Sequence, residues 1–171
     1  YWKEANHFAD IVDYSKEFKK KNLNFTLIYP NQNLPFKDKE FDFVVASHVI
    51  EHVEDVEYFI KELQRISSKG YIELPTILED NLVFENKKEH LWHMEFDDVN
   101  HKLLISKKIQ FLEPILTVST IQKMHKYFKS SLILELFWEN KIEYEFVEVN
   151  QDRKDDLNLI TLLRKFISKK L

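Results

Sequence analysis

Cysteine is absent from the 171 residues, so the chain encodes neither a disulfide nor a thiolate metal site. That composition permits a reducing compartment. Glycine occurs once, at Gly70, where average usage near 7% would give about 12. A ligand cradle made from a glycine-rich loop is therefore not contained in these residues. There is no run of about 18 apolar residues and nothing that resembles a signal peptide, so the chain is expected to be soluble and cytoplasmic, with no membrane partner. Charge of neither sign dominates: 25 Lys and Arg against 29 Asp and Glu give a formal charge of −4 and a pI near 6.0. Such a balance offers no general attraction to nucleic acid, and Lys19, Lys20 and Lys21 read as a solvated face.

What is present is a chain able to fold. Hydrophobic residues make up 44% and aromatics 14%, ample for one buried core in a single domain over residues 1–171. Residue 1 is Tyr, and further residues are expected ahead of it in the native protein.

The elements alternate between strand and helix. "HFADIVDYS" (7–15) reads as a short strand ending at Asp13, with Ser15 as the N-cap of a following helix. "NFTLIYP" (24–30) is a second strand closed by Pro30, and "FDFVVASH" (41–48) is a near-continuous apolar run of the kind buried on both faces in a parallel sheet. Val56, Phe59, Ile60, Leu63 and Ile66 recur at helical spacing, with Gly70 expected to stop that helix and "YIELPT" (71–76) to return as a strand. Strand, helix and strand in this order make a crossover unit of an open, mostly parallel α/β sheet, whose ligands lie beyond the carboxyl ends of the strands. Further on, "HLWHMEFDDVNHKLLISKK" (90–108) reads as a hairpin turning around Asp97–Asn100 and laid over the ligand edge. Residues 115–129 read as a helix, "KIEYEFVEV" (141–149) as a strand and residues 155–171 as a closing amphipathic helix.

His48-x-x-Glu51-His52 also matches, letter for letter, an inverted zinc-protease box. That chemistry needs both imidazoles on one face of a helix, whereas His48 follows directly on a buried strand and the helical pattern starts only near Asp55. Histidines satisfied within a turn are the plain alternative, and no metal is expected. His90 and His93, three residues apart on an expected strand, should face opposite ways, and Trp92 is expected to pack in the hairpin rather than to form a substrate platform. His7, His101 and His125 have no constellation around them and are read as surface residues.

Residues 34–76, "LPFKDKEFDFVVASHVIEHVEDVEYFIKELQRISSKGYIELPT", resemble the middle of class I S-adenosylmethionine-dependent methyltransferases of the type 11 group. The likeness rests on the L-P-F segment, the F-D strand, the S-H-V-x-E-H turn, the E-L-x-R helix and the G-Y-I-E-x-P strand. It implies a Rossmann-like fold, with helices on both faces of the sheet, a substrate-side insertion at 77–110, and S-adenosyl-L-methionine as cofactor.

The resemblance also implies site residues. Asp13 would accept from the two ribose hydroxyls, as an ionised carboxylate can, with Tyr14 beside it. Asn31, Gln32, Asn33 and Leu34 would border the adenine, although Pro30 stands where the family often has Asp. Ser47, His48 and His52 would flank the methionine end and the methyl group. The family's N-terminal strand and glycine-rich turn are not among these residues, so about 20 to 40 further residues are expected upstream to supply them.

Methyl transfer from a sulfonium needs alignment first, and a base only for a protonated acceptor. His48 and His93, then His90, are the candidate bases, with Glu51 as an orienting carboxylate. The acceptor is expected to be a small or sugar-containing molecule. An inactive methyltransferase-like scaffold, or a zinc hydrolase built on His48, Glu51 and His52, stays open as an alternative.

Overall fold

The computed structural model describes residues 2–148 and shows an α/β protein with small, mixed sheets. The helix expected over 155–171 lies outside the described residues, as does the last residue of the strand expected over 141–149.

Two parallel pairs lead. Strands β1 (His7–Asp10) and β2 (Asn24–Leu27) flank helix α1 (Ser15–Lys20). The first strand ends three residues before the expected Asp13, which stands in an exposed turn with its Oδ1 accepting from the Ser15 amide at 2.9 Å. Ser15 is thus the first residue of its helix rather than the cap, because Asp13 has taken the turn-forming role. Strands β3 (Val44–Ser47) and β4 (Lys69–Pro75) form the second parallel pair around helix α2 (Val56–Ile66). The edge of β4 away from β3 is taken by the antiparallel β7 (Ile133–Glu139). A third sheet holds the expected hairpin, β5 (Trp92–Asp97) and β6 (Lys102–Lys107), with β8 (Tyr144–Phe146) parallel to β6. Among the described residues these sheets are separate, so the single open sheet expected from the crossover pattern is not continuous.

Helix α2 joins two of the sheets. Asp55 caps it by accepting from the Tyr58 amide at 2.9 Å, and its Val56, Ile60 and Leu63 are buried with Ala46, Ile72 and Leu74 of the β3–β4 pair and with Met94, Leu103 and Ile105 of the hairpin. The helix expected over 115–129 is α4 (Val118–Leu132), whose Ile121 and Leu132 form a second, smaller core with Val83. No helix among the described residues is long and apolar enough to cross a membrane.

Two sequence signals have a structural cause here. The E-L-x-R motif is a clamp: Glu62 accepts from the Leu34 amide at 2.7 Å, while Arg65 donates to the Leu34 carbonyl at 2.9 Å, the Phe36 carbonyl at 2.7 Å and Asp38 at 3.0 Å. Arg65 also bonds Glu62 itself at 2.6 Å, so the L-P-F loop is pinned to the helix by one paired charge. Gly70, expected as a helix stop, lies inside β4 instead, and α2 ends at Ile66. A Cβ there would sit 2.6 Å from the Val44 carbonyl oxygen and 2.7 Å from the Trp138 ring, so the lone glycine is required by close approach rather than by a turn.

Gly70→Ala is expected to lower stability by about 1–3 kcal/mol through overpacking, and an unchanged urea midpoint would contradict this. The clamp has a pH signature. Its hydrogen bonds with Arg65 hold the Glu62 carboxyl below its ordinary value, so its stabilisation is present above the unfolded value of about 4.3 and is lost as pH falls through the folded one. Urea unfolding from about pH 7 down to pH 3 should therefore show a steeper acid loss in the parent than in Glu62→Gln, and parallel curves would refute the clamp's contribution.

Candidate active site

Strand β3 delivers its last residues to the rim where α/β sheets hold ligands. Ser47 Oγ donates to Glu73 of β4 at 3.1 Å, and the His48 amide extends the same ladder to the Glu73 carbonyl at 2.8 Å. His48 then takes φ 53°, the left-handed region that a non-glycine residue enters only where the surroundings demand it. The turn places the imidazole 3.5 Å from Glu51 and 3.8 Å from Glu73, with 42% of the side chain exposed. Interaction with the Glu51 carboxylate raises the His48 pKa above its ordinary value, against the opposing effect of burial.

Residues 50–52 form a single 3₁₀ turn, and α2 begins only at Val56. His48 and His52 therefore flank a strand-to-helix turn and do not share a helical face, so the zinc-protease geometry is absent. Glu51 is 1% exposed, and neither of its carboxylate oxygens has a hydrogen-bond partner. One backbone and one side-chain bond tie this turn to the hairpin's approach: the Leu91 amide donates to the Glu51 carbonyl at 2.8 Å, and His52 Nδ1 meets the Glu89 carbonyl at 3.1 Å.

Behind the turn lies a charged centre that sequence reasoning missed. Asp80, on the short helix α3 (Ile77–Leu82), is buried and receives His90 Nδ1 on one oxygen, with His93 Nε2 at 2.7 Å and Lys108 Nζ at 2.8 Å on the other. His90 and His93 thus converge on one carboxylate rather than facing apart, because β5 starts at Trp92 and His90 lies in the bend before it. Burial alone would raise the Asp80 carboxyl, but these three donors outweigh it and hold it well below the usual carboxylate range. Beside it, buried Glu79 meets His125 Nε2 at 2.6 Å, so His125 is not the free surface residue expected. His7 is likewise engaged, at 2.8 Å from Thr26 Oγ1. Only long-range packing brings Asp80 to Lys108, and no local spacing announces it.

The residues expected around a cofactor fall into two groups. Tyr14 and Ser47 line one cavity of about 820 Å³, together with Phe8, Ala9 and Asp10 of β1 and Val45 and Val49. Asp13 is exposed near this rim, and its bonding to Ser15 holds the carboxyl below its ordinary value. Asn33 and Leu34 instead bond to α2 and Asn31 to the turn before it: Asn31 donates to Glu54 at 2.9 Å, Asn33 accepts from the Tyr58 hydroxyl, and Leu34 joins Glu62. Asn31 borders a separate hollow of about 550 Å³ with Tyr58 and Trp92, and Gln32 is exposed. Trp92 packs as expected, buried with Nε1 donating to the Val53 carbonyl at 2.8 Å and Lys107 Nζ 3.6 Å above its ring.

Residues 7–72, which supply the first four strands up to the middle of β4 and the rim itself, match the family described as "Methyltransferase domain". Similar proteins include norajmaline N-methyltransferase of Rauvolfia serpentina, 50% identical over 38 residues, 22% of this chain and 13% of that protein. Ajmaline N-methyltransferase of the same plant is 42% identical over 38 residues, again 22% and 13%. An uncharacterised protein of Methanocaldococcus jannaschii is 27% identical over 129 residues, 68% of this chain and 57% of that protein. The chain thus spans less than two thirds of the length of each.

Removing the Asp80 charge tests the buried centre. Asp80→Asn leaves Lys108 buried without its anion, and a loss of about 3–5 kcal/mol in urea unfolding is expected, where a change under about 1 kcal/mol would show that the centre contributes little.

Proposed function

We propose that the chain is the core of an S-adenosylmethionine-dependent methyltransferase acting on a small or sugar-containing acceptor. The observation that carries this is the coincidence of the methyltransferase segment, residues 7–72, with a cavity onto which both β1 and β3 open. Each of these strands pairs on one side only among the described residues, and residues of both line the same cavity. A further strand between them would join the two parallel pairs into the open, mostly parallel sheet of a Rossmann-like fold, leaving the cavity's mouth by Tyr14 and Ser47 for a nucleoside. The volume falls in the range of about 300–1,000 Å³ typical of ligand pockets.

The cofactor supplies a methyl group already activated on a sulfonium. Asp13, ionised at neutral pH, suits two vicinal hydroxyls, and Asp10 offers a second carboxylate on the cavity wall. Ser47, held by Glu73, and His48, held by its strained backbone, are pre-positioned at the strand's mouth. Of the three candidate bases only His48 is open to solvent; His90 and His93 are buried on Asp80 and act in positioning. The hairpin side of the rim, residues 77–110, is the acceptor's side. Two relatives are named for N-methylation of norajmaline and ajmaline, which supports a small acceptor here.

Calorimetric titration of the protein with S-adenosylhomocysteine tests the reading. Saturable binding is expected, weakened tenfold or more by Asp13→Ala or Asp10→Ala. No binding by the parent protein, or undiminished binding by both variants, would overturn it.

A further inference from the structure

We infer that Glu51, His52 and His90 form a site for one divalent transition-metal ion. The inference stands on this cluster alone and does not depend on the methyltransferase reading. Residues 51 and 52 lie in the 3₁₀ turn after β3, and His90 lies at the approach to β5, yet one ligand atom from each falls within 4.8 Å of the others. The Leu91–Glu51 and His52–Glu89 bonds already described are what draw the two segments together.

The hydrogen bonds around the cluster prepare it for a cation. His90 Nδ1 is engaged by Asp80 and His52 Nδ1 by the Glu89 carbonyl, which fixes the proton of each ring on Nδ1 and leaves Nε2 as the lone-pair donor. A carboxylate behind one imidazole and a backbone carbonyl behind the other are the outer contacts that metal-bound histidines make. Glu51 points the same way. Its carboxylate is almost fully buried with both oxygens lacking hydrogen bonds, which leaves lone pairs that a bound cation would engage. His48, at 3.5 Å, is near but makes no hydrogen bond to it.

The donor set selects the ion. Two imidazoles and one carboxylate suit zinc, iron, cobalt or nickel, whereas magnesium and calcium ask for oxygen ligands. Three protein ligands leave at least one position open, and His52 is the exposed member, so the open face is towards solvent. The ligand set differs from that of the sequence box: Glu51 is a ligand rather than a base, and His90 replaces His48, because the chain turns through 3₁₀ rather than α geometry at Ile50.

The test uses the ions alone. Protein dialysed against a chelator is titrated with Co²⁺ while visible absorption is followed, and with Zn²⁺ by calorimetry. One ion per chain is expected, with a Co²⁺ ligand-field band that Zn²⁺ abolishes. Glu51→Gln and His52→Ala should each weaken Zn²⁺ binding at least tenfold, and His101→Ala should leave it unchanged. His52 is exposed, so His52→Ala keeps its fold, checked by circular dichroism, even where a core variant does not. Absence of both the band and the heat in the parent protein, or parental affinity in Glu51→Gln and His52→Ala together, would overturn the inference.

Discussion

The layout behind β3 depends on one buried carboxylate, Asp80, that three donors from other parts of the chain must reach at once. His90 comes from the bend before the hairpin, His93 from its first strand and Lys108 from just beyond its second, so a single anion fixes the hairpin against α3. Ionised groups this deep are tolerated only as a satisfied set, and a partial set would leave charge stranded in a medium of low dielectric. The hairpin's placement then fixes the Glu89–Leu91 backbone against the turn at 50–52. Position is transmitted from Asp80 to the rim through hydrogen bonds rather than through apolar packing alone.

The rim shows the opposite economy. Asp80 has every partner it needs, whereas the equally buried Glu51 has no hydrogen bond on either carboxylate oxygen. His48 sits between these extremes, in a left-handed backbone conformation at the end of a strand, its imidazole shared loosely between two carboxylates. Rigid support beside unsatisfied polar groups is the arrangement expected where a protein binds something, since binding supplies what folding has left unmet.

Much of this was legible in residues 34–76, where local signals and tertiary roles agree. The apolar spacing of Val56, Ile60 and Leu63 places α2, the F-D-F-V-V-A-S-H run places β3, and the E-L-x-R motif is the clamp that pins Leu34 and Phe36. The misreadings share a cause. The expected places of Asp13, Gly70 and His90 each depend on an element boundary, and boundaries are set by competition between neighbours: Asp13 makes a turn beyond the strand's end, Gly70 yields to Val44 and Trp138, and His90 falls short of its strand. The Asp80 centre had no signal at all, because Lys108 is 28 positions away and α3 is too short to show a period.

A crystal structure with S-adenosylhomocysteine bound decides whether nucleoside recognition lies at the shared rim of β1 and β3. The expected result is ligand at the mouth of the larger cavity, in contact with Tyr14 and Ser47. Ligand lodged in the hollow between Asn31, Tyr58 and Trp92 instead, or no ligand at saturating concentration, would contradict it.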